Sequence, residues 1–363
     1  MTGPNVATID VLMPVRNGVR YLGESIESIR QQSYQDWRLL ILDHGSTDGS
    51  TELAAEYAGR DRRIQVLPMA DAPNLAALLN RGLSLCDSRY VMRHDADDIA
   101  LPERMAQSLA YFSNNPRCVV MGGEAIMIDG DGVKIDYLER PLGPDGVTAA
   151  CFFYGPVIHP TVMVDLAAFR KLGAGYGNDF LNILPADQSL SVPQYAEDYL
   201  LFGQMALLGH CSNIGRPLIK YRVHANSVST SKVLDQIRVS FLVSRFLSQT
   251  FCTMKNLAPF DPVPLSNHAG HLFNFLPGDL HDSLDRMSSA LLNGIGDTPA
   301  VRREIAFRSV VTAKNPVLLM ARYLLFEGRY HRHQSERAII RNWIRGRLRP
   351  VKYGFLRNLQ MAQ

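Results

Sequence analysis

The sequence predicts an α/β fold in which a mostly parallel sheet is flanked by helices and followed by a helical C-terminal extension. Three observations carry that prediction. Apolar runs of strand length alternate with amphipathic stretches from Ala7 to Met121, the rhythm of a βαβ succession with short connections. Two of those runs end in acidic clusters: Leu39-Leu40-Ile41-Leu42 leads into Asp43-His44-Gly45-Ser46-Thr47-Asp48, and Tyr90-Val91-Met92 into Arg93-His94-Asp95-Ala96-Asp97-Asp98. From Ser231 onward the pattern turns helical, with loops at Ala258 to Ser266 and Asn293 to Pro299.

Taken in order, Ala7 to Val15 reads as a buried strand, Tyr21 to Gln32 as an amphipathic helix, Arg38 to Asp43 as a strand and Ser50 to Ala58 as a helix. Ile64 to Leu67 is a short strand, Asn74 to Leu85 a helix and Arg89 to His94 a strand; Pro102 to Phe112 is a helix with proline in its first turn. Arg117 to Met121 adds a strand, and after Gly122 the rhythm changes. Asp129-Gly130-Asp131-Gly132 reads as a hairpin turn and Pro141 to Pro160 as a Gly/Pro-punctuated region. A strand at Thr161 to Val164, a helix starting near Tyr195 and a strand at Pro217 to Val223 complete this part.

With 363 residues, 46% apolar and 20% charged, the chain is globular with a sizeable core. Its formal charge of +3 is uneven: Val301 to the end holds 14 Lys and Arg against 3 Asp and Glu, so the rest is net acidic. The five cysteines (86, 118, 151, 211 and 252) are scattered, without a C-x-x-C pair, which favours a reducing compartment and no structural zinc. Met1 to Asn17 lacks the basic and apolar segments of a secretory signal, and no apolar stretch approaches the roughly 18 residues of a spanning helix. A soluble or surface-bound cytoplasmic protein is expected.

In open α/β sheets the ligand sits outside the carboxyl ends of the strands, so both acidic clusters should line one crevice. Three carboxylates within four residues repel unless a cation or protons compensate, and a strand-end Asp-X-Asp suits a hard divalent metal, Mg²⁺ or Mn²⁺, on a diphosphate. Asp43 ends its strand where a base could be read by hydrogen bonds, whereas Ser46, Thr47 and Asp48 suit helix capping. Pro14-Val15-Arg16-Asn17 ends the first strand on the same edge; Arg16 faces a phosphate or is an ordinary surface arginine. Glu197-Asp198 opens an apolar helix, a placement the macrodipole alone favours. His224 follows a strand, within reach of a crevice, and imidazole suits Mn²⁺.

Taken together, M-P-V-R-N, L-D-H-G-S-T-D, R-H-D-A-D-D-I-A-L-P-E-R, H-P-T-V-M, A-E-D-Y-L-L and Y-R-V-H-A-N-S-V-S resemble the family 2 glycosyltransferases of GT-A fold, from about Val6 to Ser231. The resemblance implies transfer of a sugar, with inversion, from a nucleotide diphosphate donor, usually a uridine one, to a saccharide or lipid-linked acceptor in bacterial-type surface polysaccharide or glycolipid synthesis. It implies that Asp43 reads the base, that Asp95 and Asp97 hold ribose and metal with His224 completing the metal site, and that Asp198 of the Glu197-Asp198 pair is the base. Pro14, Val15, Arg16, Asn17, Arg81 and Ala96 join the donor-binding set. On this reading residues 1–230 are the catalytic domain, with a nucleotide-sugar half (1–125) and an acceptor half (126–230), and 231–363 are an extension outside the motifs. One departure is His44, which stands where the family has a second acidic residue.

The chemistry fits independently: an attacking hydroxyl must lose a proton, which Asp198 can accept, and a departing diphosphate gains charge that a metal at Asp97 can neutralise. A nucleotidyltransferase or phosphohydrolase would share strand-end carboxylates, but no Gly-rich, Lys-containing loop follows the first strand and no G-x-x-x-x-G-K-[ST] occurs. A non-catalytic carbohydrate-binding module is the remaining alternative. In the tail, Arg337, Arg341, Arg345, Arg347, Arg349, Lys352 and Arg357 are interleaved with Ile339, Ile340, Trp343, Ile344, Leu348, Tyr353, Phe355 and Leu356. Such a helix lies in an anionic membrane interface or packs on the domain with solvated arginines. No nucleic-acid-binding motif accompanies it, and no nucleic-acid partner is expected.

Overall fold

The computed structural model describes residues 7–224, 233–268, 280–313, 315–331 and 333–348. Four strands, β1 (Ile9–Val15), β2 (Trp37–Asp43), β3 (Ile64–Pro68) and β4 (Tyr90–Arg93), are joined through helices α1 (Val19–Arg30), α2 (Ser50–Arg60) and α3 (Leu75–Leu85). They pair in parallel in the order β3-β2-β1-β4. The winding therefore reverses at β1, and the carboxyl ends of β1 and β4 flank a topological switch point.

Register shows how this point opens. Val15 lies beside Asp43, whereas pairing with β4 ends at Leu12↔Arg93. The Leu12 carbonyl accepts the His94 N–H on the β4 side (3.0 Å), and the Val15 carbonyl accepts the His44 N–H on the β2 side (2.9 Å). Pro14 shares the side of Leu12 by the two-residue period, so its missing N–H falls where β1 and β4 part and no ladder donor is required. The expected strand Ala7 to Val15 and its neighbours are found to within one or two residues.

The sheet continues through β8 (Met163–Asp165), β6 (Val120–Ile128), β9 (Cys211–Arg222) and β5 (Ile99–Ala100), with β7 (Lys134–Leu138) on β6. Antiparallel pairing enters with β8, and β6 with β9 is again parallel. The 129–132 turn does join an antiparallel hairpin, β6 to β7. Strand β6 runs on past Met121, where glycines at 122 and 123 read as a break. They are there for close approach: a Cβ on Gly122 would stand 2.7 Å from Asn213 and Val157, and one on Gly123 2.7 Å from Leu218. Helix α4 (Arg104–Asn114) starts after Pro102, whose carbonyl takes the Ser33 N–H instead. Helices α5 (Gly143–Ala150), α6 (Leu166–Lys171) and α7 (Glu197–Leu207) complete this part.

Among the described residues five α-helices follow: α8 (Val233–Lys255), α9 (His281–Gly294), α10 (Pro299–Val311), α11 (Pro316–Arg329) and α12 (Gln334–Leu348). One apolar cluster runs without interruption from Leu12, Val91 and Phe152 to Phe307 and Trp343, so these helices share the core of one sheet face. Ile9, Val11, Met13, Trp37 and Met105 belong to a second cluster. The tail differs from a free amphipathic helix. Ile340 and Trp343 are buried, Ile339 and Ile344 pack partly against the core, and Trp343 stacks on Phe307 at 6.2 Å. Arg337 lies 3.7 Å from Glu327. Residues 349–363, with Arg349, Lys352, Tyr353, Phe355, Leu356 and Arg357, lie outside the described residues, as do the side chains of Arg347 and Leu348.

Helix α11 carries apolar side chains on both its buried and its exposed face, interrupted by Arg322 and Glu327. Leu319, Tyr323 and Phe326 face the core, while Val317 (77% exposed), Leu318, Met320, Leu324 and Leu325 (75%) point outward. No helix among the described residues is long and apolar enough to cross a membrane.

Candidate active site

The loops after β1 and β2 are stitched together. Asn17 sits in the left-handed region (φ 56°), which asparagine tolerates better than most residues. Its N–H donates to the Ser46 hydroxyl (3.1 Å), and its side-chain oxygen accepts the Thr47 N–H (2.8 Å). Gly18 N–H donates to Ser50 Oγ (2.9 Å), and Asp48 accepts the N–H groups of Val19 and Ser50, the first residues of α1 and α2 (3.0 Å each). Capping thus accounts for Asp48.

Asp43 is different in kind. It is buried at the end of β2, where Oδ1 accepts the Ser46 N–H (3.0 Å) and Oδ2 the Thr51 hydroxyl (2.6 Å). Burial works to raise its proton affinity, but these hydrogen bonds to the ionised form outweigh it and hold the carboxyl below its usual value. His44 turns away: Nε2 meets the Ala72 carbonyl at 2.7 Å, so that nitrogen carries the proton and pins the loop after β3. Gly45 (φ 75°) makes the reversal, with Ala70 only 3.2 Å from where a Cβ would be. Pro14 and Val15 line the edge of β1, and Arg16 beside them is exposed.

Beyond β4, Asp95, Asp97 and Asp98 each offer an oxygen within 4.8 Å of the others. The supports are mostly buried. Arg93 pairs with Asp95 and gives its other Nη to the His94 carbonyl (2.5 Å). Arg104, fully enclosed and pushed down by burial to about 9, donates to the Arg93 carbonyl (2.6 Å) and to His94 Nδ1 (2.9 Å). His94 is therefore an acceptor at Nδ1, and burial keeps it neutral. Arg222, ending β9, gives its N–H to Asp98 Oδ1 (2.8 Å) and its Nε–H to the Asp97 carbonyl (2.9 Å) while its guanidinium lies over Tyr21 at 4.5 Å. His224 Nε2 meets Asp97 Oδ2 at 3.0 Å.

Burial and the charges of Asp95 and Asp97 push Asp98 well above the usual carboxylate range; burial and Asp95 do the same, more weakly, to Asp97. Asp98 Oδ2 is buried with no hydrogen-bond partner among the described residues. Three clustered carboxylates, one orphaned oxygen and an imidazole form a hard, mostly oxygen donor set that fits Mn²⁺ or Mg²⁺. Ala96, nearly buried, packs near Gly18 between the two loops.

Glu197 and Asp198 start α7 just after Tyr195, a bulky residue held at φ 74°, a conformation that costs energy and sharpens the entry into the helix. Asp198 Oδ1 accepts its neighbour's N–H (Tyr199, 2.8 Å), and Oδ2 lies 3.8 Å from His159 Nδ1. His159 Nε2 in turn meets the Tyr176 hydroxyl (2.9 Å), and burial, then Arg93, keeps the ring neutral. Burial raises Asp198, against the Tyr199 N–H and Arg93; burial and Asp198 raise Glu197 to about 7. Arg93 acts on both acidic groups, so they share one electrostatic environment.

Asp95, Asp97 and His224 are thus brought together, with Asp98 added. Arg81 is engaged elsewhere, in an exposed bidentate pair with Asp71 (2.6 and 3.0 Å). Arg93, Arg104, His159, Tyr176 and Arg222 were not singled out from sequence. His159 in H-P-T, Arg222 beside His224, and Arg93 and Arg104 at the two ends of R-H-D-A-D-D-I-A-L-P-E-R carry a local signal; Tyr176 carries none.

Residues 10–162 match the family model of glycosyl transferase family 2. An uncharacterized glycosyltransferase of Haemophilus influenzae is 28% identical over 234 residues, which is 62% of this chain and 68% of the relative. The O-antigen biosynthesis glycosyltransferase WbnJ of Escherichia coli is 27% identical over 254 residues, 68% of this chain and 91% of the relative. Other curated glycosyltransferases are matched over 53% to 60% of their own length. Among solved structures, TarS of S. aureus in complex with UDP-GlcNAc superposes with a TM-score of 0.51 at 14% identity, over 90% of this chain and 93% of that one.

Proposed function

We propose, from the premise that this chain belongs to glycosyl transferase family 2, that it transfers a sugar from a nucleoside diphosphate donor, a UDP-sugar, to an acceptor hydroxyl with inversion. The observation that carries this reading is the placement of Asp43 and of the Asp95-Asp97-Asp98 group at the carboxyl ends of β2 and β4, on either side of β1, with Arg93 beside the second group acting electrostatically on Asp198 as well. Asp43 accepts from the donor's base while Pro14 to Asn17 bound the nucleotide. Asp95, Asp97 and His224 hold the divalent ion, with Asp98 as a further oxygen. When bound, that ion neutralises charge on the departing diphosphate. Asp198 takes the proton of the acceptor hydroxyl, and a single displacement from the side of that base inverts the anomeric carbon. Glu197, beside it, is held protonated up to about 7 by burial and by the charge of Asp198, so it adds no second full charge at the base.

A surface polysaccharide or glycolipid is the proposed product class, supported by the O-antigen name of one relative. Hydrolysis of a panel of nucleotide sugars, with and without Mn²⁺ or Mg²⁺, tests the reading. One donor should be cleaved in a metal-dependent way. Cleavage of none, together with nucleotidyl transfer or phosphoester hydrolysis, would replace it.

We place the enzyme at the cytoplasmic face of a membrane, where a lipid-linked acceptor would be met. The contact assigned to it is α11, because α12 turns Ile340 and Trp343 inward while α11 presents five apolar side chains on a C-terminal region rich in Arg and Lys. Leu324→Glu with Leu325→Glu should abolish cosedimentation with anionic vesicles and leave melting temperature unchanged, since both residues are exposed. Binding that ignores lipid charge and salt, or no wild-type binding, would remove the membrane from this account.

A further inference from the structure

We infer that the half-open cavity between the sheet and the C-terminal helices receives an oxyanion carried by the acceptor, a phosphate or a carboxylate, with Arg140 as its counter-charge. This rests on the glycosyltransferase reading, which it deepens by naming an acceptor class. The cavity is about 320 Å³, at the lower end for small-ligand sites and large enough for one sugar unit with its anion. Arg140, Tyr154 and Gly155 line one side; Arg308, His333 and Asn342 line the other. Its wall touches the start of the helix that bears the proposed base. A Cβ on Gly155 would stand 3.6 Å from the Cβ of Tyr199, the residue after Asp198, and the charge of Asp198 is felt at Arg140.

Two arginines and two glutamates line the cavity, but among the described residues the ion pairs leave Arg140 without a carboxylate, because Glu336 is paired with Arg303 outside the lining. Arg308 is paired with Glu304 (2.5 Å) and further held by the Leu265 carbonyl and Asn267 (2.9 and 2.8 Å). Glu336 is paired with Arg303 (2.7 Å). His333 is driven down by burial to about 3, so it is neutral at pH 7. Arg140 stands apart: Nη1 donates to the neighbouring Glu139 carbonyl (3.0 Å), Nε is buried with no partner among the described residues, and no carboxylate pairs with its guanidinium among them. Arg140 is half-buried, with its guanidinium 5.9 Å from the centre of the Tyr154 ring; a cation so placed without an anion loses solvation that is not repaid, and a bidentate phosphate or carboxylate is what a guanidinium recognises best. Tyr154 and Phe307 supply ring surface for the sugar that bears it.

Titration of the full chain with glucose 1-phosphate, glucuronate, inorganic phosphate and glucose tests this, read by the fluorescence of Trp343, which stacks on the cavity-lining Phe307. Glucose 1-phosphate or glucuronate should bind at least about tenfold more tightly than glucose, as a charge-assisted pair implies. The tighter of the two names the source of the anion, glycosyl phosphate or uronate. In Arg140→Met that ratio should fall to about one, and Arg140→Lys should restore part of it. Ala338→Leu, on an exposed position of α12 at the cavity, should weaken all sugar ligands together without adding a fluorophore. An unchanged ratio in Arg140→Met, or binding of inorganic phosphate alone with no sugar preference, would overturn the inference. Donor hydrolysis by the wild-type chain, measured in parallel, reports separately on the glycosyltransferase reading.

Discussion

Replacing Asp198 by asparagine should lower turnover by roughly 10²-fold or more while leaving donor affinity nearly unchanged, because a general base acts on the acceptor hydroxyl and only in the transition state. The substitution is nearly isosteric, and the Tyr199 N–H can still be accepted by the amide oxygen, so the helix start should survive. About a third of the side chain (31%) remains accessible, enough for an acceptor to reach it. The wild-type rate should also carry a pH signature. Asp198 must be ionised to act, and burial raises its proton affinity, so kcat/KM should fall with decreasing pH at a value above the ordinary carboxylate range. That acid limb should vanish in Asp198→Asn. Glu197 contributes to stability with the opposite sign from a paired carboxylate: raised from 4.5 to about 7, it binds more protons in the folded state, so stability falls as pH rises through that window. Glu197→Gln should flatten that slope and cost less turnover. A crippled Glu197→Gln beside a mild Asp198→Asn would assign the base to the wrong carboxylate.

Asp97→Asn should weaken metal-supported binding of UDP by at least the roughly 10- to 100-fold typical of perturbed metal shells, and turnover should fall with it. The fold should tolerate the change, because Asp97 gives little to the core and its backbone carbonyl still receives Arg222. Without metal, the variant should melt no lower than wild type, since one of three mutually repelling carboxylates has been neutralised. Calorimetry of UDP binding with and without Mn²⁺, together with melting curves, measures both effects. Equal metal dependence in the two proteins would show that Asp97 is no ligand.

Much of the fold was legible because consecutive βα units advertise themselves locally: apolar runs for β1 to β4, amphipathic stretches for α1 to α3, acidic residues at strand ends. The acidic residues of the proposed site were legible where they sit on such ends, as with Asp43 and Asp95 to Asp98. What escaped is long-range. Arg104 lies 10 positions after His94 on a helix that reads as amphipathic, and nothing local shows that its guanidinium turns under the acidic loop. The Asp198, His159 and Tyr176 series joins α7 to two loops upstream. Gly122 and Gly123 read as a break because composition does not disclose that another strand passes close by. In the tail, spacing placed Ile340 and Trp343 on one face correctly but could not tell that this face meets protein, or that the outward face of α11 would be the apolar one.

The stitched loops after β1 and β2 also bear on how quickly and how uniformly the donor is met. With Asn17, Gly18 and Val19 tied to Ser46, Thr47, Asp48 and Ser50, that side of the crevice is assembled during folding, so little chain entropy remains to be lost when the nucleotide arrives. Encounter should then resemble a collision with a rigid surface, fast and with a single kinetic phase, and donors that differ only in their sugar should share one association rate and be sorted by how long they stay.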